Sequence, residues 1–160
     1  MKAAEAGPAP QIFRPPVSSV LALDFQQLKA KLQTYLKPED VGRVEAAYHF
    51  SADAHAGQFR VSGEPYVSHP VAVCSLVADW HLDPQALIAA LLHDVMEDTH
   101  ITKAEIAERF GKVAAELVDG LSKLDKMEFA SYQEAQAENF RKMLMAMARD
   151  LRVVLIKLAD

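Results

Sequence analysis

The sequence has one cysteine, no long apolar run and no excess of basic residues. The single Cys74 cannot form an intrachain disulfide, which excludes a small secreted fold held together by disulfides. No apolar run approaches the roughly 20 residues that span a bilayer, and the N-terminus lacks the apolar segment of a signal peptide. We therefore expect a cytoplasmic protein that does not associate with membranes.

The charge balance is acidic, with 17 Lys and Arg against 22 Asp and Glu and a formal net charge of -5. Sequence-independent binding to nucleic acid needs a strongly basic surface. We therefore expect no direct binding to nucleic acid, and a polyanionic ligand would require a local basic pocket.

The chain is long enough for one domain with a hydrophobic core. Residues 1–19 contain four prolines and are predicted to be a disordered tail, whereas residues 20–160 are predicted to be the folded domain. Strand signals are weak, although the glycines near 57–67 allow a short β-hairpin. Apolar periodicity and capping residues predict an all-α helical bundle, with helices at 24–37, 38–56, 70–80, 84–97, 102–111, 112–122, 131–148 and from 150 onward. The predicted N-terminal caps are Asp83, Thr102 with Glu105, Ser131 with Glu134, and Asp150. The methionines Met143, Met145 and Met147 are interpreted as core packing.

The strongest chemical signal is the pair His93 and Asp94, which ends the apolar run 86–92. Burying an unpaired carboxylate is costly, so Asp94 needs a partner or a metal ion. In a continuous helix, Glu97 lies one turn later on the same face, and Asp98 follows it. The alternatives are a capped, solvated helix end for the pair, and ordinary helix-terminus acids for Glu97 and Asp98.

His69 is the next candidate ligand. Only about three residues connect the helices 70–80 and 84–97, so these helices should pack as an antiparallel hairpin. Counted from Leu82, His69 lies 13 residues away and His93 lies 11 residues away. At about 1.5 Å per residue, both stand roughly 17–20 Å from the turn. We therefore expect His69 to meet His93 at the open end of the hairpin; a helix-capping histidine is the alternative.

The last segment offers a fourth ligand. An apolar helix from Val153 onward ends in Asp160, which suggests that it carries one acid into the interior. Two imidazoles and two carboxylates suit a divalent ion such as Mn²⁺, Fe²⁺ or Zn²⁺, with open positions for water and phosphate. They do not suit a closed structural zinc site, which favours cysteines.

Four stretches of the chain carry ordered motifs: HAGQFRVSGEPYVSHPVAV (55–73), ALIAALLHDVMEDT (86–99), VDGLSKL (118–124) and AENFRKMLMAMARDLRVVLIKLAD (137–160). Together they resemble the hydrolase domain of the RelA/SpoT homologue family, within the HD superfamily of metal phosphohydrolases. The resemblance covers roughly residues 24–160. It implies an HD-domain helical bundle that removes pyrophosphate from the 3′ position of (p)ppGpp, giving GDP or GTP, in control of the stringent response.

The resemblance also implies roles for individual residues. Manganese is the usual metal of the bacterial family, and Val61 stands where many members have a second basic residue that contacts the nucleotide. The implied metal ligands are His69, His93, Asp94 and Asp160; the implied water-activating residues are Glu97 and Asp98; and the implied nucleotide contacts are Arg60, Ser62 and Tyr66.

The family motif continues beyond its last aspartate, whereas this chain stops at Asp160. We therefore expect a C-terminally truncated form of a long bacterial enzyme, in which synthetase and regulatory domains follow. Whether this shorter form is active stays open. Two other functions also stay open: an HD phosphohydrolase for another nucleotide, and an inactive regulatory or nucleotide-binding module. Pyrophosphate release from ppGpp and stoichiometric binding of Mn²⁺ separate these possibilities.

Overall fold

The described residues form helices and connecting turns, which confirms the all-α prediction. The computed structural model describes the backbone of residues 17–126 and 132–160, and the side chains of residues 24–126 and 136–160. Within this part of the chain there is no strand; one antiparallel bridge, Phe59 to Pro65, stands where the sequence allows a hairpin. The helices are α1 (Val17–Leu32), α2 (Pro38–Ala54), α3 (Ser68–Asp79), α4 (Pro84–Leu92), α5 (Val95–Asp98), α6 (Lys103–Phe110), α7 (Lys112–Asp125), α8 (Tyr132–Arg149) and α9 (Leu151–Ala159).

The first helix differs from its prediction at both ends. It begins at Val17, inside the range 1–19 that the sequence predicts to be a tail, and residues 1–16 lie outside the described residues. It ends at Leu32, five residues short of the predicted end at 37. Lys37 is extended, with ψ 150°, because the residue before a proline is driven out of the helical region. Pro38 then begins α2, as predicted.

Two predicted caps are present. Thr102 and Glu105 form the capping box of α6, in which each side chain accepts a hydrogen bond from the other residue's backbone N–H. Asp150 caps α9 by accepting from the Arg152 amide at 2.9 Å. Asp83 stands at the N-cap position of α4, but its side chain makes no cap hydrogen bond. The predicted capping box at 131–134 lies outside the described side chains.

Helix α4 is the centre of the bundle. All of its residues from Ala86 to Leu92 are buried, and it packs against α2, α3, α7 and α9. A helix that is apolar on every face can only be stable when other helices surround it. The chain therefore emerges from the deepest part of the core at the residue that follows α4. None of the described helices has the length and apolar character needed to cross a bilayer.

A short turn joins α3 to α4 and makes the predicted hairpin. His81 takes a left-handed conformation there, with φ 53°, and its ring stacks on Tyr35 at a centroid distance of 4.6 Å. The Tyr35 hydroxyl donates to the Leu82 carbonyl at 3.1 Å. Both contacts come from Tyr35, which follows α1, and they hold the closed end of the hairpin in place. The open end of the hairpin therefore has a fixed position.

The helix predicted over 84–97 is interrupted. Helix α4 ends at Leu92, His93 and Asp94 form a turn, and α5 adds one further helical turn. The His93 Nδ1 contacts the Ala90 carbonyl at 2.7 Å, and that carbonyl is the acceptor that a continuing helix offers to the amide of Asp94. The competition between side chain and backbone explains why the prediction of one continuous helix is wrong.

Helix α8 exposes much of its apolar surface. The methionines Met143, Met145 and Met147 are 38 %, 52 % and 46 % exposed, so their interpretation as core packing is wrong. Partial burial recurs at every fourth residue of α8, including Lys142 and Ala146. Only that narrow stripe faces the other helices, and the remaining apolar side chains have no described element to cover them.

We expect Leu91→Ala to lower the free energy of unfolding by about 2–5 kcal/mol, because Leu91 is fully buried in α4 and its truncation leaves a cavity. The matched control is Leu144→Ala on α8, where a half-exposed side chain should cost less than about 1 kcal/mol. Urea unfolding followed by circular dichroism measures both. Equal destabilisation by the two substitutions would contradict the central position of α4.

Candidate metal centre

Three separate elements bring two histidines and two aspartates to one place. His69 lies in the first turn of α3, His93 and Asp94 form the turn after α4, and Asp160 follows the last residue of α9. The hairpin brings the first three residues together, and α9 packs against both of its helices. The site therefore lies at the open end of the α3–α4 hairpin.

The polar atoms of these four residues converge. His69 Nε2 lies 2.8 Å from Asp160 Oδ1 and 3.7 Å from Asp94 Oδ2. His93 Nε2 lies 3.0 Å from Asp94 Oδ2 and 3.4 Å from Asp160 Oδ1. Ligand atoms of His69, His93 and Asp160 all lie within 4.8 Å of one another. The four side chains predicted from the sequence as ligands are thus brought together. Three of them, His69, His93 and Asp160, form a group that could hold a metal ion, and Asp94 lies beside it in contact with both imidazoles.

The orientation of His93 fits a metal ligand. Its Nδ1 contacts the Ala90 carbonyl, which can only accept, so Nδ1 carries the proton and donates it. Its Nε2 is buried and makes no well-directed hydrogen bond, although two carboxylate oxygens lie nearby. A neutral imidazole with Nδ1 bonded to a carbonyl and Nε2 free is the arrangement found in histidine-bound metal sites.

The charges of the group depend on one another. Burial lowers the pKa of His93, but the carboxylates of Asp160 and Asp94 outweigh burial and raise it to about 10. The same contact with His93, together with Lys157, holds the pKa of Asp160 well below its usual range. Burial raises the pKa of Asp94, but the opposing effects of His93 and Tyr66 are larger, so this pKa lies below its usual value. Both carboxyl groups are therefore ionised at neutral pH, and His93 Nε2 carries a proton between them that a metal ion would have to displace in order to bind the neutral imidazole.

Two neighbours hold the carboxylates. The Tyr66 hydroxyl donates to Asp94 Oδ2 at 2.7 Å. The Lys157 Nζ donates to Asp160 Oδ2 at 2.8 Å and also pairs with Asp125 at the end of α7. The Asp160 carboxylate thus directs one oxygen to the imidazoles and the other to an ammonium group. These contacts fix the direction of both acids before any ion binds.

Glu97 and Asp98 lie on α5, immediately after the cluster. The amides of both residues donate to the Asp94 carbonyl, at 3.1 and 2.9 Å. Glu97 therefore lies one helical turn after Asp94, as predicted, although α5 does not continue α4. Both side chains are exposed. They stand one turn from a predicted ligand and are accessible from solvent.

The loop 57–66 carries the residues that the resemblance links to the nucleotide. Its two sides are joined by hydrogen bonds from the Arg60 amide to the Glu64 carbonyl at 2.8 Å and from the Tyr66 amide to the Gln58 carbonyl at 3.0 Å. Arg60, Val61 and Ser62 are exposed at the tip, and Gly63 closes the turn with φ 88°. Tyr66 instead lies partly buried at the base, against Asp94. The structure therefore separates Tyr66 from the other two predicted contacts.

Sequence reasoning overlooked His55 and Gln58. His55 is only 3 % exposed, and its ring packs against Tyr66 at a centroid distance of 4.6 Å. Its Nδ1 lies 3.0 Å from Gln58 Oε1, and Gln58 Nε2 donates to the Asp98 carbonyl at 3.2 Å. The only available signal was their position at the start of the motif loop.

Helix α9 is fixed at the end that is far from the cluster. The Arg152 guanidinium binds Asp150 through Nε and Nη2 and reaches Asp83, at the start of α4, through Nη1 at 2.8 Å. Asp83, which the sequence predicts to be a helix cap, is thus part of an interhelical bridge. Because α9 spans the distance from this bridge to Asp160, the bridge helps to set where that carboxylate lies.

Comparison with known families gives one match over most of the chain. The HD domain family matches residues 47–160, a range that contains all four clustered residues. The match extends from α2 to the end of α9.

Individual relatives are similar over most of the chain. The chain is 56 % identical over 136 residues to the bifunctional (p)ppGpp synthase/hydrolase SpoT of Escherichia coli K12, an alignment that covers 85 % of this chain and 19 % of that protein. It is 66 % identical over 108 residues to a guanosine-3′,5′-bis(diphosphate) 3′-pyrophosphohydrolase of Haemophilus influenzae, covering 68 % of this chain and 16 % of that protein. The chain thus spans about a fifth of the length of these relatives.

One similar solved structure is described as a metazoan ortholog of SpoT that hydrolyses ppGpp. Its TM-score is 0.57 at 28 % sequence identity, and the alignment covers 78 % of this chain and 67 % of that one. The helical arrangement described above is therefore shared with a ppGpp hydrolase.

We expect Arg152→Lys to lower the free energy of unfolding by about 1 kcal/mol, because an ammonium group cannot bind Asp150 and Asp83 in the fork geometry of a guanidinium. Arg43→Lys is the control, since Arg43 makes one longer contact of 3.6 Å with Asp40 and is well exposed. Thermal or urea unfolding of the two variants provides the comparison. If both substitutions cost the same, the bridge contributes nothing specific to α9.

Proposed function

Because the chain belongs to the HD domain family and, within it, to the RelA/SpoT homologues, we propose that it hydrolyses (p)ppGpp to GDP or GTP and pyrophosphate in a metal-dependent reaction. One observation carries this proposal: two imidazoles and two ionised carboxylates converge at the open end of the α3–α4 hairpin. A relative that is named as a probable enzyme of this kind aligns with the whole of this chain, and therefore with the region in which the cluster lies. A cytoplasmic location, control of the stringent response, and further synthetase and regulatory domains are proposed with it.

His69, His93, Asp94 and Asp160 are the proposed ligands of the ion. Mixed nitrogen and oxygen donors suit Mn²⁺ as the resident ion, with Fe²⁺ or Zn²⁺ as chemically acceptable substitutes. A divalent ion supplies Lewis acidity there, which activates water and offsets the charge of the phosphate oxygens. The buried Nε2 of His93, which lacks a well-directed hydrogen bond, supports the assignment.

Glu97 and Asp98 are proposed to orient the attacking water and to accept its proton. Both are exposed on α5, one helical turn after Asp94, so a water molecule between the cluster and a substrate can reach them. A general base must lie within hydrogen-bond reach of the proton that it takes. The hydrogen bonds of their amides to the Asp94 carbonyl keep the two acids at a constant distance from the cluster.

Arg60 and Ser62 are proposed to contact the guanine nucleotide from the tip of the loop 57–66. Their exposure leaves them free to meet a ligand, and Arg60 brings a positive charge to a chain that is acidic overall. Lys157 brings a second positive charge to the cluster through its ion pair with Asp160. A polyanionic substrate therefore meets positive charge on two sides of the site.

We expect Asp94→Asn to abolish stoichiometric binding of Mn²⁺ and to reduce hydrolysis of ppGpp to the level of the chelated wild-type protein, because the carboxamide lacks the charge that the ion requires. Asp79→Asn is the control, since Asp79 is more than half exposed and pairs only with Lys31 among the described contacts. Metal analysis after dialysis and pyrophosphate release measure the two effects. A wild-type chain that binds Mn²⁺ but releases no pyrophosphate would identify a nucleotide-binding module, and cleavage of other nucleotides in place of ppGpp would identify a different HD phosphohydrolase.

We expect Arg60→Ala to weaken binding of a non-hydrolysable ppGpp analogue by about tenfold or more, since a charge-assisted hydrogen bond is worth roughly 1.5–3 kcal/mol. Binding of Mn²⁺ should stay unchanged, because Arg60 lies at the exposed loop tip. Arg43→Ala on α2 is the matched control. Calorimetric titration of the three proteins tests the expectation, and equal affinities for the analogue would remove Arg60 from the nucleotide site.

A further inference from the structure

The hydroxyl of Tyr66 is committed to the cluster. It donates to Asp94 Oδ2 at 2.7 Å, and this is the carboxylate oxygen that lies 3.0 Å from His93 Nε2 and 3.7 Å from His69 Nε2. A phenol has one proton to donate. The donor of Tyr66 therefore acts on the side of Asp94 that faces the proposed ion.

The ring of Tyr66 is held as firmly as its hydroxyl. It packs against the buried His55 at a centroid distance of 4.6 Å and meets the ring of His69 edge to face at 6.2 Å. Asp94 is mostly buried, so its carboxylate has few other donors available. A tyrosine at this position fills the space between His55 and the cluster with its ring and also donates a hydrogen bond to Asp94. A phenylalanine would fill the same space without supplying the donor.

Gln58 makes a second connection between the loop and the segment 94–98. Its carbonyl accepts from the Tyr66 amide, and its side chain bridges from His55 Nδ1 to the Asp98 carbonyl. The two ends of the loop are therefore bonded to each other, and each is bonded to one end of the segment that carries Asp94, Glu97 and Asp98. The exposed tip with Arg60 and Ser62 lies between these two anchors.

We infer that Tyr66 is a positioning residue for the proposed metal ligand Asp94, and that within the loop 57–66 the nucleotide contacts come from the exposed tip and not from Tyr66. The inference rests on the proposed function, because it concerns the same cluster. Residues that hydrogen-bond to metal ligands fix the orientation of those ligands and raise metal affinity. Through Tyr66 and Gln58, contact of a nucleotide with the loop tip is mechanically linked to the geometry of Asp94 and α5.

The test is the affinity of the nucleotide-free chain for Mn²⁺, measured by competition with a fluorescent chelator. Tyr66→Phe keeps the ring and removes only the hydroxyl, and it should weaken Mn²⁺ binding by about 10–100-fold. At saturating Mn²⁺, the affinity for a ppGpp analogue should stay within about twofold of wild type. Tyr48→Phe is the matched control, since Tyr48 is a partly buried tyrosine that stacks on Phe25 in another part of the bundle, and it should leave Mn²⁺ binding unchanged.

Two failures give different results. If Tyr66→Phe binds Mn²⁺ as tightly as wild type and loses affinity for the analogue, Tyr66 is a nucleotide contact and the inference is overturned. If Mn²⁺ binding is weakened as expected while the wild-type chain with Mn²⁺ leaves ppGpp intact, the positioning role stands and the proposed hydrolysis fails. Circular dichroism of each variant verifies that the bundle is folded.

Discussion

Negative charge at the buried, apolar end of a helix is the constraint on which the site depends. Asp94 follows α4, the most deeply buried helix, and Asp160 brings a second acid against it. Two carboxylates that approach each other out of water are stable only when cations or hydrogen-bond donors compensate them. The compensation comes from four neighbours that contact one or both acids, namely His69, His93, Tyr66 and Lys157. The proposed divalent ion would add to the positive charge that these side chains already supply.

The bundle achieves this convergence over a long stretch of sequence. His69 and Asp160 are 91 positions apart, yet their polar atoms meet at 2.8 Å. Helix α9 is tied at its start to the turn before α4 through Arg152, and at its end to α7 through Lys157. Because the two ties lie on different neighbours, α9 can neither slide nor tilt without breaking one of them. The accuracy of the cluster therefore depends on contacts that lie outside it.

Sequence reasoning succeeded where the determining contacts are local. Pro38, the Thr102 capping box and Asp150 act on backbone groups within a few residues, and the rise per residue was enough to bring His69 level with His93. It failed where a tertiary or side-chain contact overrides a periodic pattern. The contact between His93 and the Ala90 carbonyl ends a helix whose apolar pattern continues. The residues Met143 to Met147 have an apolar composition, but no helix within the described part of the chain covers them. The role of His55 depends on partners in the loop, which the periodic pattern of the sequence cannot predict.

The interruption after α4 has a consequence for how the cluster assembles. In an unbroken α-helix, consecutive side chains diverge by about 100°, so neighbours seldom serve one ligand. In the turn at 93–94, the imidazole and the carboxylate of adjacent residues approach to 3.0 Å. Two of the four proposed protein ligands are thus held close together by a single peptide unit, as in a bidentate chelator. Only His69 and Asp160 must be gathered by closing longer segments of chain, which reduces the entropy lost when the site forms.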